Sequence, residues 1–299
     1  MAVIFLFIDG VGLGNPTEEN PFYTIDFPGF KAMAGNQPFT KETEEIAEKK
    51  HVFKHVDATL GVAGLPQSGT GQSTLFSGEN APELIGKHFG PFPHSGNKHL
   101  LKEQSLFNKA QKQGKKCHFL NAYPDIFFTK AKKRNRWSCT TLMTKSADIT
   151  LNRAESVKQE EALTAELTQE AWRDQLDIQV PIITPQRAAQ RLIDQSINYD
   201  LLLHEYYLTD KAGHSQDANK ADQYLRIYDN FLSYLIEHKP ESYTLVLSSD
   251  HGNVEDLSVK THSYHKVPLY AHGPGAYHFS DAESIMDVTP RVLEVLKNN

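Results

Sequence analysis

Three strand-like segments in this chain each lead to an aspartate. Residues 3–8 are continuously apolar and stop at Asp9-Gly10. Residues 199–207 (YDLLLHEYY) run into Asp210-Lys-Ala-Gly-His214. Residues 243–247 (YTLVL) run into Ser249-Asp250-His251-Gly252. The unbroken apolar run 3–8 suits a strand covered on both faces, and the other two segments are further strand candidates. Ligands of open α/β sheets collect at the carboxyl ends of such strands. Three strands that deliver Asp, or Asp with His, to one sheet edge restrict both the fold and the chemistry.

The intervening segments alternate accordingly. Helical patterns are expected at 101–113, 186–197, 217–238 and 282–297, and a short strand at 119–122. Leu225, Tyr228, Phe231, Leu232 and Leu235 repeat at helical spacing. This order predicts an α/β fold, a three-layer sandwich with a mainly parallel sheet and helices on both faces. Residues 122–184 break the pattern with a basic cluster (Lys130, Lys132, Lys133, Arg134, Arg136) and polar stretches. They are expected to form a small inserted cap, which leaves 1–121 and 185–299 as the two parts of the core.

At 299 residues the chain is long enough to bury a large core. Its formal charge of −6 offers no basic field for nucleic acid or an anionic membrane. Cys117 and Cys139 form no CxxC pair, which suits a reduced, cytoplasmic chain. The apolar N-terminus is short, lacks a basic lead and reads as a strand rather than a signal peptide. No sequence signal bears on oligomeric state.

Asp9, Asp210 and Asp250 together with His214, His251 and His262 make a mixed oxygen and nitrogen donor set. That set suits two divalent ions of the Zn or Mn type. Two such ions about 4 Å apart clamp an in-line displacement at phosphorus. Taken singly, Asp210 with His214 would also suit a capped helix start, and Asp250-His-Gly an ordinary turn. A fourth element, Leu65-Pro-Gln-Ser68-Gly-Thr-Gly-Gln-Ser-Thr-Leu-Phe-Ser-Gly78, crowds hydroxyls at a helix start, where an attacking oxyanion and phosphate are both favoured. Ser68, Thr70, Ser73 and Thr74 all compete there for the nucleophile's role.

The order is Asp after the first strand, a hydroxyl about sixty residues on, D-x-x-x-H, D-H-G and a final His. It resembles the alkaline phosphatase superfamily. Ser249-Asp-His-Gly-Asn253 and His262-Ser-Tyr-His-Lys-Val-Pro268 look most like its cofactor-independent phosphoglycerate mutase and phosphopentomutase branch. The resemblance implies an alkaline-phosphatase-like sandwich with Ser68 as nucleophile, ten residues before a helix-internal glycine, here Gly78. It implies one metal held by Asp9, Ser68, Asp250 and His251, and another by Asp210, His214 and His262. It suggests Mn through the mutases and Zn through the phosphatases.

The stretch from Gly78 to Tyr199, about 120 residues, is too short for the mutases' inserted transferase domain. Hydrolysis of a small phosphate ester, a monoester, through a phosphoserine is therefore expected. The alternatives are a phosphomutase or phosphotransferase, a phosphodiesterase, and a metal-binding regulatory scaffold. Ser68 is followed by Gly-Thr-Gly-Gln with no Arg, unlike the sulfatase branch. Thr70, Lys87, His88 and His265 are candidate substrate contacts.

Overall fold

A computed structural model of the chain describes residues 2–297. Met1 and residues 298–299, the ends of the two expected core parts, lie outside that range. The described strands are β1 (Ala2–Ile8), β2 (Ile46–Ala47), β3 (His51–Val56), β4 (Cys117–Phe119), β5 (Leu201–Tyr206), β6 (Tyr243–Ser248) and β7 (Val267–His272). They form one sheet in the order β2-β3-β7-β6-β1-β5-β4. β6, β1, β5 and β4 run parallel, whereas β7, β3 and β2 are added antiparallel. The parallel centre matches the expectation, and the antiparallel edge completes a mixed sheet.

The side chains of β1 show why the fold has three layers. Successive strand residues point to opposite faces. Val3, Phe5 and Phe7 enter one apolar cluster, and Ile4, Leu6 and Ile8 enter another. The first face is covered by helices Ser68–Ser77, Leu106–Lys112, Cys139–Ser146 and Val288–Lys297. The second is covered by Pro28–Met33, Pro185–Ser196 and Ala218–His238. Phe76 packs edge-on against Phe5 and Phe7, with centroids 6.1 and 5.2 Å away. This contact fixes helix Ser68–Ser77 to the central strand.

Several boundaries differ from the sequence reading. The expected helix 101–113 is two helices, Lys98–Glu103 and Leu106–Lys112, because the Ser105 hydroxyl accepts from the Asn108 amide and starts a new one. The expected strand 119–122 begins earlier, as β4, and Asn121 and Ala122 make only isolated bridges. Gly78 is not internal to its helix. It closes it, in the left-handed conformation at φ 76°. Within 122–184, Phe128, Cys139, Leu142 and Met143 join the cluster of Phe5 and Phe76. Val157, Ala162, Trp172 and Val180 form a small separate cluster with Ala122.

His204 sits in the middle of β5, buried against Phe231 of helix Ala218–His238 at 5.8 Å between rings. Burial pushes its imidazole down to about 4. In the unfolded chain an imidazole titrates near 6.5. The folded state therefore refuses a proton that the unfolded state accepts, and stability is lost as pH falls from about 6.5 through about 4. The full effect is about 3 kcal/mol at the acid end. His204→Leu is expected to flatten this slope, giving a higher thermal midpoint than wild type at pH 5. Calorimetry at pH 8 and pH 5 checks it; parallel slopes would refute the assignment.

Candidate metal and nucleophile site

The sheet register brings distant segments to one edge. Ile8 pairs with Tyr206, and Phe7 with Ser248. The chain thus leaves β1, β5 and β6 at the same level, placing Asp9, Asp210 and Asp250 together. Helix Leu208–Ser215 starts directly after β5, so Asp210 and His214 stand four residues apart on one helical face. Gly10 permits the convergence: at φ +67° it faces Asp210, and a Cβ there would lie 2.7 Å from the Asp210 Cβ. His262 lies in the loop before β7, and its Nδ1 donates to the Pro66 carbonyl at 2.6 Å.

Ser68 begins its helix, and its Oγ is 3.0 Å from His251 Nε2. The same nitrogen is 3.4 Å from Asp9 Oδ1 and 3.5 Å from Asp250 Oδ2. On the other side, His214 Nε2 is 3.3 Å from Asp210 Oδ2 and 3.2 Å from His262 Nε2. The rings of His251 and His262 stack at 3.8 Å. All seven expected ligands converge. Their grouping is tighter than the expected division, because His251 lies within ligand reach of both Asp9 with Asp250 and Asp210 with His262.

The rival hydroxyls are engaged elsewhere. Thr70 Oγ1 donates to Gln67 O at 3.1 Å, Ser73 Oγ to Gly69 O at 2.6 Å, and Thr74 Oγ1 accepts from the Ala81 amide at 3.1 Å. Ser68 is the hydroxyl of this group that meets an imidazole.

The electrostatics of the cluster test whether a cation fits. Burial, reinforced by the charge of Asp250, raises Asp9 well above the carboxylate range. Burial, then the charge of Asp210, lifts Asp250 to about 7. Asp210 is held below its usual value despite burial, by its hydrogen bond to His214, the His251 charge and Asn253. Burial and repulsion from His251 push His262 down to about 4, so it stays neutral with Nε2 as acceptor. Asp9 Oδ1 is buried without a hydrogen-bond partner. Crowded carboxylates, an orphaned acid oxygen and a neutral His262 imidazole oriented through its second nitrogen are what divalent ions require. The residues fit the metals that the sequence implies.

The supporting residues escaped the sequence reading. Gln72 follows Ser68 by one helical turn and donates to both Asp9 Oδ2 at 3.2 Å and Asp250 Oδ2 at 3.0 Å. Asn253 donates to Asp210 Oδ1 at 2.7 Å. The buried Glu255 carboxylate accepts from the Gly12 and Asn253 amides at 2.8 and 2.7 Å, and from Ser263 and His265. It thereby joins the loop after β1 to those carrying His251 and His262. The i+4 spacing of Gln72 from Ser68 was a readable signal, and Asn253 closes the Asp250-His-Gly motif; Glu255 had none.

A cleft of about 590 Å³ opens over Asp9, Ser68, Asp210 and His214. Glu205 reaches it from β5, accepts from Thr140 Oγ1 at 2.7 Å, and is lifted by burial to about 7. The four expected substrate contacts do not line this cleft. Thr70 is buried and bonded to backbone, and Lys87 is exposed beside Phe89. His88 faces the Val62 carbonyl at 3.2 Å, and His265 is paired with Glu255 at 3.1 Å.

A family model described as the Metalloenzyme superfamily matches residues 1–299. Over 128 residues the chain is 27% identical to the 2,3-bisphosphoglycerate-independent phosphoglycerate mutase of Ehrlichia canis, covering 38% of this chain and 26% of that protein. The matched region spans about a quarter of the length of such curated relatives. Among solved structures, the alkaline phosphatase from the Antarctic bacterium TAB5 superposes with a TM-score of 0.63 at 14% identity, covering 100% of this chain and 98% of that one. The Leishmania mexicana phosphoglycerate mutase gives 0.51 at 11% identity, covering 99% and 95%. At these identities the structural likeness speaks for the fold: an alkaline-phosphatase-like α/β sandwich. The family match runs the full length of the sequence, and the chain belongs to the Metalloenzyme superfamily.

Proposed function

We propose that this chain is a two-metal phosphomonoester hydrolase that works through Ser68. Superfamily membership and the phosphatase and phosphomutase likenesses support metal-dependent phosphoryl transfer. The observation that carries the finer reading is the placement of the Ser68 hydroxyl, 3.0 Å from His251 Nε2 at a helix N-terminus beside Asp9 and Asp250. Asp9, Asp250 and His251 would hold one ion with Ser68, and Asp210, His214 and His262 the other. The mixed donor set suits Mn or Zn. Ions held there would supply Lewis-acid chemistry, lowering the pKa of the attacking oxygen and neutralising charge on the phosphoryl group.

The Ser68 Oγ–P bond forms as the ester O–P bond breaks, and the serine proton passes overall to the departing alcohol. Water then breaks the Ser68–P bond, restoring the hydroxyl and releasing phosphate. Gln72 holds Asp9 and Asp250 in position throughout, and Asn253 does so for Asp210. Residues 122–184 act as the cap, contributing Tyr123, Pro124, Phe127 and Ser138 to the cleft.

A mutase is the second reading, favoured by the similarity to a phosphoglycerate mutase. Turnover in ¹⁸O-labelled water separates the two. Hydrolysis is expected to put one solvent oxygen into each released phosphate. Migration of phosphate between substrate hydroxyls, with no free phosphate, would replace the hydrolase by a mutase.

A further inference from the structure

The walls of the cleft are unlike its floor. Pro91 and Phe92 come from the loop bonded to the Ser68 helix through the Thr70 amide and Phe89 carbonyl, 2.9 Å apart. Tyr123, Pro124 and Phe127 come from the segment after β4, and Tyr207 directly follows β5. Tyr123 and Phe127 are stacked at 4.2 Å, and both rest on the apolar core behind them. Tyr207 is 44% exposed. Away from the Asp/His cluster, the polar side chains lining the cleft are few: Ser138, Lys211 and Glu205, the last engaged by Thr140. A polyhydroxylated or doubly charged alcohol would set its polar groups against proline and aromatic faces, where they lose water without gaining partners. A flat apolar group would instead displace water from those faces.

From this arrangement we infer that the alcohol released from the phosphoester is apolar and carries an aromatic ring, held between Phe92, Tyr123, Phe127 and Tyr207. The inference rests on the phosphoester reading above. It concerns the leaving group, whereas that reading concerns the bond broken.

The test pairs turnover with binding on the Mn-loaded chain. 2-Phenylethyl phosphate and glycerol 1-phosphate both release primary alcohols, so leaving-group chemistry is nearly matched. The 2-phenylethyl ester is expected to have a kcat/KM about 10- to 100-fold higher. By calorimetry, 2-phenylethylphosphonate is expected to bind at least about tenfold tighter than methylphosphonate. Tyr207→Ala, at an exposed position that core packing does not depend on, and Phe127→Ala should each shrink both ratios. Equal phosphonate affinities, or binding of neither, overturn the inference. Glycerol phosphate turned over as well as the 2-phenylethyl ester also overturns it, and leaves hydrolysis standing. A retained preference for 2-phenylethylphosphonate with no turnover of any ester supports the inference and removes the hydrolase reading instead.

Discussion

Ser68→Ala is expected to lower phosphate-ester turnover by about 10³-fold or more while the chain keeps its divalent ions. The hydroxyl is a single group at the start of a buried helix that Phe76 anchors to β1. Removing its oxygen leaves the six Asp and His donors in place. Steady-state rates on an aryl phosphomonoester, beside elemental analysis of both proteins, check the two halves separately. Near-normal turnover under metal saturation would sink the nucleophile assignment. Loss of turnover together with loss of both ions would make Ser68 chiefly a ligand.

Stripping the metals is expected to abolish turnover and lower the thermal midpoint by on the order of 10 °C, relative to protein in metal at 1,000 times Kd. Asp9 and Asp250 are buried beside one another and beside Asp210, and both are raised by burial and like charge. Between a carboxyl pKa near 4 in the unfolded chain and about 7 at Asp250 when folded, the folded state alone holds the proton. Stability of the stripped chain therefore falls as pH rises through that window. Asp250→Asn removes one of the crowded charges, and its amide can still accept from the Gly10 N–H while Gln72 turns its own amide. The stripped variant is thus expected to melt above the stripped wild type at pH 8, although it is inactive when loaded. A lower midpoint for the stripped variant would contradict the electrostatic account of the cluster.

Most of the candidate metal donors could be read from the chain because their signals are local. Asp9, Asp210 and Asp250 each follow a strand-like segment, and His214 and His251 lie within four residues of their acids. The proposed nucleophile was less legible. Four hydroxyls fall within seven residues, and only the folded chain reveals that Thr70, Ser73 and Thr74 already serve backbone groups. The cleft walls could not be read at all, since Phe92, Tyr123, Ser138, Tyr207 and Lys211 come from segments that share no motif and meet only through the sheet. β7 was hidden by Pro268, a residue that argues against an inner strand. In the sheet Pro268 pairs with His55 of β3, while β6 pairs with β7 only from Leu269 onward. β3 was masked by Lys54 and His55, which interrupt its apolar pattern.

β1 lies between β5 and β6, strands that begin at residues 201 and 243. β1 therefore has no neighbour in this sheet until residues 201–206 have been made. At ordinary elongation rates the wait is roughly 10–50 s. During it a segment as sticky as Val-Ile-Phe-Leu-Phe-Ile must be shielded by a chaperone or by transient collapse. Pairings so distant in sequence also make for slow refolding from denaturant, with aggregation as the competing fate. His262 emerges later still, so during synthesis the candidate donor group of Asp210, His251 and His262 cannot be complete before it.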